Sequence, residues 1–310
     1  MAPIAKILVA TDFSANGNNA VWRAALLARH LKARLTLLHV VNTARKPWQR
    51  WLKRPLDAAL EAARAQAALS WLGNELATAH EVTAAVDVRI GNPREELLHA
   101  CAQADLLVLG HRGRIPLLPL ARGCMAERVL RSGRTPVLVV KRDAEVPYRQ
   151  ALVPMDFTPH ADAAVQVASS LAPEWGTQVF HPIDTARHAV LREADAAEVS
   201  LHKARARDEA HVNARMRRSI ARLGLDARRM SFALGHGAPL PSTLRQLRAS
   251  AADLVVVGKP ARSATTSFAL AKLSRGLLAA ADCDTVIVPC VERMAMPLRA
   301  SPFARIPLNA

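Results

Sequence analysis

An internal repeat constrains the fold of this chain more than any other feature of its sequence. The segment ILVATDFS, Ile7–Ser14, returns as ALVPMDFT, Ala151–Thr158, so that Asp12 and Asp156 lie 144 positions apart. The segment DLLVLG returns as DLVVVG, and TPVLVV returns as DTVIVP, in the same order and at nearly the same offset. Such a long-period repeat predicts two tandem copies of one domain.

The length of the chain agrees with two domains. It has 310 residues, about twice the usual domain size of ~150 residues. We predict domain 1 over 1–142, a linker over 143–150, domain 2 over 151–290 and a C-terminal tail over 291–310. The linker is polar and contains Pro147, which is typical of a domain boundary. The tail has no regular period, and either a disordered end or an arm over a neighbouring subunit would fit it.

Within each copy, apolar runs that suit buried strands alternate with segments of helical periodicity. Apolar strands that alternate with helices predict an α/β fold, a doubly wound five-stranded parallel sheet covered on both faces. The second copy follows the same order, with a long, highly charged helix over about 190–223 that fits a solvated helix face. In the first copy we predict strands at 4–10, 35–41, 82–90, 105–109 and 136–140, and helices at 18–33, 56–80, 93–103 and 124–131.

The informative polar residues follow the strands. In open parallel sheets, ligands bind beyond the carboxyl ends of the strands, where the strand order reverses. Thr11 and Asp12 follow the first strand, and Val41 ends the second. Asp12 could accept a hydrogen bond from a ribose hydroxyl or an adenine amino group, or it could be the N-cap of the next helix. The sequence leaves both roles open.

A glycine loop follows the fourth strand and is the strongest candidate for a phosphate site. Gly110 would let the chain turn out of the strand, and Gly113 would let a phosphate approach backbone N–H groups. Gly123 precedes a helix, whose free N–H groups attract anions.

These segments resemble the universal stress protein family in its tandem form, over nearly the whole chain. The likeness is carried by ILVATDFS, GNPREELL, ADLLVLGHRGR, RGCMAERVL and TPVLVV. It implies a Rossmann-like fold, similar to adenine nucleotide alpha hydrolases, and binding of ATP or a related adenine nucleotide in domain 1. Nucleotide-binding members carry G-x2-G-x9-G followed by Ser or Thr, and the three loop glycines match that spacing. The nucleotide contacts that we expect are Thr11, Asp12, Val41, Gly110, His111, Arg112, Gly113, Gly123, Cys124 and Met125.

Domain 1 departs from the family pattern inside the loop. Cys124 replaces the Ser or Thr, and a thiol is a weaker hydrogen-bond donor than a hydroxyl. Pro116 and Pro119 remove two N–H groups, whereas Arg112 and Arg114 supply positive charge. These changes predict a weakened site. Cys124 is either a candidate for oxidation, because a helix N-terminus near arginines lowers a thiol pKa, or a residue that only fills a position suited to a small side chain.

Domain 2 has lost most of the pattern. Its loop reads Gly258-Lys259-Pro260-Ala261, without the second glycine, and Leu273-Ser274 stand where a glycine and a hydroxyl residue are expected. Proline offers no N–H group to a phosphate. We therefore predict that domain 2 is a structural partner without a phosphate cradle.

Three functions fit these features. The resemblance implies a non-enzymatic stress-response regulator whose copies pair through their last strands, within one chain or in a homodimer. A scaffold that binds only protein partners is favoured by the apolar segment 115–120, and a slow ATPase would use Asp12 as a metal contact. A role for Mg²⁺ remains open.

Charge, hydropathy and cysteine content indicate the partners and the cellular compartment to expect. The net charge of +16 comes from arginines spread along the chain, without interleaved aromatic residues, which argues against a dedicated nucleic-acid module. No apolar run approaches the ~20 residues of a membrane span. The four cysteines form no CxxC pair, and Cys283 and Cys290 flank a strand that keeps them too far apart for a disulfide. We therefore expect a cytoplasmic protein.

Overall fold

The computed structural model describes residues 3–42, 58–111, 125–132, 134–172, 176–183, 198–259 and 267–289. The elements of domain 1 are β1 (Lys6–Ala10), α1 (Ala15–Leu31), β2 (Arg34–Asn42), α2 (Ala58–His80), β3 (Ala84–Gly91), α3 (Pro93–Cys101), β4 (Leu106–Gly110), α4 (Met125–Ser132) and β5 (Val137–Val140). Those of domain 2 are β6 (Ala151–Pro154), α5 (Pro159–Leu171), β7 (Thr177–Ile183), α6 (Glu198–Arg222), β8 (Met230–His236), α7 (Pro239–Ser250), β9 (Leu254–Lys259), α8 (Ser267–Ala280) and β10 (Asp284–Pro289).

Local chemistry sets the helix ends more closely than periodicity does. Helix α1 begins three residues before its predicted start, because Ser14 is its N-cap and the Ser14 Oγ accepts a hydrogen bond from Gly17 N at 3.1 Å. It ends at Lys32, whose backbone is left-handed at φ 53°. In domain 2, the predicted start of the long helix at 190 lies outside the described residues.

All ten strands form one sheet, in the order β3-β2-β1-β4-β5-β10-β9-β6-β7-β8. Within each half, neighbouring strands are parallel and follow the doubly wound order 3-2-1-4-5. The predicted fold class is confirmed. The order reverses between β1 and β4 in domain 1, and between β6 and β9 in domain 2, so each half has a switch point at which a ligand could bind.

The two halves join through their last strands. Strands β5 and β10 are antiparallel, with Val137, Leu138 and Val139 opposite Ile287, Val286 and Thr285. This seam (the β5–β10 pair) confirms that the copies pair with each other within one chain.

Lysine side chains reinforce the seam on both sides. The Lys141 Nζ donates to Ala281 O at 2.8 Å, beyond the end of α8, and the Lys259 Nζ donates to Leu130 O in α4. Cations are favoured at the carbonyl ends of helices. Each domain thus supplies a lysine to a helix end of the other.

Two apolar cores lie on opposite faces of the sheet, because successive strand residues face opposite sides. Ile7 and Val9 belong to the core that packs α1, α2, α5 and α6, whereas Leu8 belongs to the core that packs α3, α4, α7 and α8. Each core contains residues of both domains. The seam is therefore a continuous part of the hydrophobic interior.

A buried polar cluster lies beside the seam, at the first residue of β10. The Asp284 Oδ1 accepts from Lys141 N at 2.7 Å and Arg142 N at 2.9 Å, and its Oδ2 accepts from the Tyr148 Oη at 2.5 Å. The Arg23 Nε lies 3.4 Å from the same Oδ2 and makes an ion pair there without hydrogen-bond geometry. Asp284 and Arg23 are 0% and 4% exposed.

The segment predicted as a polar linker is anchored by this cluster. Tyr148 is fully buried, and the Arg23 guanidinium lies 4.3 Å above its ring. Arg23 also donates to Val146 O and Asp143 O. Burial, with the Asp284 carboxylate as the next cause, raises the pKa of Tyr148 well above its ordinary value. The tyrosine hydroxyl therefore stays protonated and donates to Asp284.

Two buried cysteines yield a chemical test of the packing. Burial raises the pKa of Cys101 to about 12 and that of Cys283 to about 11, and only the thiolate is nucleophilic. We expect iodoacetamide at pH 8 to leave both thiols unmodified in the native protein and to modify both in urea. Peptide mapping by mass spectrometry would resolve each site, and rapid native labelling of either would contradict the packing.

No helix in the described part of the chain is both long and apolar enough to cross a bilayer.

Candidate functional site

A cavity of about 580 Å³ lies at the carboxyl ends of β1, β2 and β4, beside the switch point of domain 1. Its lining is Ala10, Thr11, Asp12, Ser14, Asn16, Gly17, Leu38, His39, Val40, Asn42, Asn92, Pro93, Arg94, Leu97, Leu109, Gly110, His111, Met125, Ala126 and Val139. The position is the one that the strand order predicts.

Asp12 stabilises the start of α1 indirectly, through the N-cap residue Ser14. Its Oδ1 accepts from Ser14 N at 3.1 Å and from the Ser14 Oγ at 2.5 Å, and Ser14 in turn is the N-cap. The alternative that Asp12 itself is the N-cap is therefore wrong. Its carboxylate is exposed at the cavity rim.

The loop between β1 and α1 has a strained backbone that both domains share. Phe13 and Phe157 have φ of 60° and 64°, a left-handed conformation that is uncommon for residues other than glycine. The His39 Nδ1 lies 2.9 Å from Thr11 O, and the His181 Nδ1 lies 2.6 Å from Met155 O. Since this loop occurs in both copies, it belongs to the fold and does not by itself indicate a ligand.

Gly110 lets the end of β4 lie close to the first turn of α1. A Cβ at this position would lie 2.2 Å from Asn16 O and 2.9 Å from Gly17 N, both in the first turn of α1. Its φ lies outside the left-handed region, and the residues after His111 lie outside the described part of the chain, so the turn expected at Gly110 stays a prediction. Gly258 makes the equivalent approach in domain 2, where a Cβ would lie 2.5 Å from His160 O.

The start of α3 contributes a wall that the sequence reasoning missed. Asn92 is the N-cap, since its Oδ1 accepts from Arg94 N at 3.1 Å, and Pro93 occupies the first turn. The predicted turn and helix start are present. Their place in the cavity follows from the parallel pairing of β3 with β2, which brings the end of β3 to the same edge as that of β2.

The structure brings together five of the predicted contacts and places the others elsewhere or leaves them undescribed. Thr11, Asp12, Gly110, His111 and Met125 line the cavity. Val41 is 3% exposed and does not line the cavity, whereas its neighbours Val40 and Asn42 do. The remaining four, Arg112, Gly113, Gly123 and Cys124, lie outside the described residues, as does the apolar segment 115–120.

The electrostatics of the cavity favour an anion. The first turns of α1, α3 and α4 all line it, and the N-terminal end of a helix carries partial positive charge. Arg94 adds a full positive charge, and Asp12 is the carboxylate in the lining. Among the described residues, no group of three His, Cys, Asp or Glu side chains could hold a metal ion.

The described residues of domain 2 differ from this arrangement at the helix that follows β9. Ser274, the residue matched to the family hydroxyl, lies inside α8 and is 4% exposed, and Leu273 beside it is also buried. Asp156 holds the N-cap Thr158 through its Oδ1, at 3.0 Å from Thr158 N. Thr158, and not Asp156, is therefore the N-cap of α5. The retained serine cannot offer its hydroxyl from a helix N-terminus.

Comparison with solved structures agrees with the fold. A universal stress protein from Archaeoglobus fulgidus DSM 4304 is 18% identical, with 92% of this chain and 98% of that chain covered and a TM-score of 0.66. A functionally unknown protein from Pseudomonas aeruginosa PAO1 is 18% identical, with 92% of both chains covered and a TM-score of 0.57. A universal stress protein in complex with cAMP is 24% identical over 45% of this chain and 98% of its own, with a TM-score of 0.37.

Comparison of sequences gives the family. No curated protein matches the chain significantly. The model of the universal stress protein family matches it twice, over residues 3–141 and 147–289. These two matches cover both halves of the ten-stranded sheet and most of the chain, so the chain belongs to the universal stress protein family as a tandem two-domain member.

Proposed function

We propose that domain 1 binds ATP or a related adenine nucleotide and that the chain is a stress-response regulator rather than an enzyme. The observation that carries this proposal is the convergence of three helix N-termini on one cavity at the switch point. Phosphate groups would lie against these N–H groups, as anions do at helix N-termini. Arg94 would add a direct ion pair.

The remainder of the cavity suits a nucleoside. Its volume falls within the range of roughly 300–1,000 Å³ that is usual for small-ligand sites. Val40, Leu97 and Leu109 offer apolar surface to a base. The Asp12 carboxylate at the rim can accept hydrogen bonds from ribose hydroxyls.

The lining supports binding better than catalysis. The Asp12 Oδ1 is held by Ser14, and the His39 Nδ1 contacts Thr11 O, so both groups serve the loop structure. A ligand that binds only the folded chain stabilises it in proportion to RT ln(1 + [L]/Kd). The nucleotide would thus regulate the stability of the chain and its contacts with a protein partner or a second copy, in the cytoplasm.

The first experiment looks for nucleotide in protein purified without any added. The protein is denatured, and the released small molecules are identified by mass spectrometry. Stripped protein is then titrated with Mg-ATP and with adenosine by calorimetry. Arg94→Ala should weaken ATP binding about tenfold, equivalent to ~1.4 kcal/mol, and leave adenosine binding unchanged.

The control is Arg29→Ala. Arg29 lies in the last turn of α1 and pairs with Glu81 on the surface, so its loss removes the same charge away from the cavity. If both variants weaken ATP binding equally, the loss of affinity reflects the lower net charge of the protein and not a contact made by Arg94. Absence of released nucleotide, together with no heat at millimolar ATP, would overturn the proposal.

A further inference from the structure

Helices α2 and α6 occupy equivalent places in the two domains but differ in charge. Leu72 and Leu76 of α2 and Met216 and Ile220 of α6 are buried against the sheet, and the pairs are offset by the 144 positions of the sequence repeat. Helix α2 carries one arginine and two glutamates, whereas α6 carries six arginines, one lysine and three acidic residues. The basic character is therefore confined to one copy.

One face of α6 forms a groove of about 380 Å³ with Phe157, which precedes α5. The residues that line this α6 groove are Phe157, His211, Arg215, Arg218, Ser219 and Arg222. The α6 members recur at three- and four-residue spacing, which places them on one helix face. At the same offset, α2 carries Ala67, Trp71, Asn74, Glu75 and Thr78. Those five positions contain no cation.

The fold holds two of the three arginines in place. The Arg215 guanidinium lies 4.1 Å above the Phe157 ring. Arg222 pairs with Asp162, and the Asp162 Oδ1 also accepts from the Ser219 Oγ at 2.7 Å. Among the described residues, neither Arg215 nor Arg218 pairs with a carboxylate. Within the described ranges, these two guanidinium groups therefore keep their charge without a direct carboxylate contact.

Two acidic groups close to the groove are engaged with other side chains. Glu209, two residues before His211, pairs with His236 at 3.3 Å and does not line the groove. Asp162 is engaged by Arg222 and Ser219.

The shape and chemistry of the groove indicate its ligand. Guanidinium groups bind phosphate through paired hydrogen bonds. The volume is at the small end for ligand sites, and Arg215 covers the Phe157 face on which a nucleobase would stack. We infer that the α6 groove binds linked phosphate groups, as inorganic polyphosphate or as the triphosphate end of a nucleotide. This site is separate from the domain 1 cavity and does not depend on a nucleotide there.

The test titrates the full chain with sodium tripolyphosphate by calorimetry at fixed salt concentration. We expect saturable binding that Arg218→Gln weakens about tenfold. The Arg218 side chain is exposed, and its Nε contacts only its own helix at Ala214 O, so this variant should fold normally. The matched control is Arg217→Gln, one position away, where the guanidinium lies 4.9 Å above the Phe232 ring and outside the groove.

The outcomes separate the possible ligands. If ATP shows a second binding site that Arg218→Gln abolishes, the ligand is the nucleotide triphosphate. If Arg218→Gln weakens the binding of tripolyphosphate but not that of ATP, the ligand is free polyphosphate. Three results would overturn the inference: no saturable binding, equal weakening by Arg217→Gln, or tighter Arg218-dependent binding of a single-stranded oligonucleotide. The last would identify a nucleic-acid surface instead.

Discussion

Replacing Asp284 with alanine should lower the free energy of unfolding by about 3–5 kcal/mol, the range observed when one partner of a buried ion pair is removed. The carboxylate is fully buried and receives two backbone N–H groups, the Tyr148 hydroxyl and the Arg23 guanidinium. Its removal would leave a buried cation and three donors without their acceptor. Each unsatisfied group is costly in a low-dielectric interior.

The location of Asp284 increases the effect. The residue begins β10, while its partners come from α1 and from the segment after β5. Asp284 therefore connects domain 2 both to domain 1 and to the interdomain segment. We expect the alanine variant to weaken the seam and not only one domain.

Urea denaturation followed by circular dichroism would measure the loss, with Asp253→Ala as control. Asp253 also accepts two backbone N–H groups, Arg149 N at 2.8 Å and Gln150 N at 3.1 Å, but it is only partly buried and has no arginine partner among the described residues. Its replacement should cost about 1 kcal/mol. Equal losses in the two variants would show that Asp284 contributes no more than ordinary hydrogen bonds.

A double variant tests whether the Arg23–Asp284 ion pair itself contributes to the free energy of unfolding. Arg23→Leu together with Asp284→Leu should recover part of the loss, because buried pairs can often be replaced by apolar residues at little cost. The coupling between the two sites, measured as a double-mutant cycle, isolates their interaction.

Most of the fold could be predicted from the sequence because each strand and helix is indicated by its own local hydrophobic pattern, and the repeat shows that the pattern occurs twice. Each apolar run encodes a buried strand, and two copies of one pattern imply two copies of one sheet. The edge of the sheet at which ligands bind follows from the same order. Thr11, Asp12, Gly110, His111 and Met125 therefore reach the cavity as expected.

What could not be predicted depends on contacts between distant segments. Arg23, Tyr148 and Asp284 are far apart in the chain, and no local pattern indicates that they meet. Tyr148 even lies in a segment whose composition predicts a solvated linker. Val41 and Val40 cannot be told apart from sequence, since one residue of register decides which side chain faces the cavity.

The α6 groove was missed for another reason. Its arginines recur at the spacing of an ordinary exposed helix face, which also fits salt-bridged, solvated surfaces. A comparison of the two copies could have found it, because the five positions of α2 that match the groove residues contain no cation. The concavity itself requires Phe157 from another element.

Gly110→Ala should both destabilise the protein and weaken nucleotide binding. The new Cβ would lie 2.2 Å from Asn16 O and 2.5 Å from Asn16 C, which are backbone atoms that cannot rotate away. Overpacking of this kind typically costs about 1–3 kcal/mol. Either β4 or the first turn of α1 must shift, and both line the cavity.

Gly258→Ala separates these two effects. Its Cβ would meet His160 O at 2.5 Å and His160 C at 2.6 Å, so the strain is of the same kind but lies in domain 2. We expect both variants to lower the urea midpoint, and only Gly110→Ala to weaken ATP binding, by about tenfold or more. Equal loss of ATP affinity in both would mean that general destabilisation is responsible. Unchanged affinity in Gly110→Ala would place the nucleotide away from the first turn of α1.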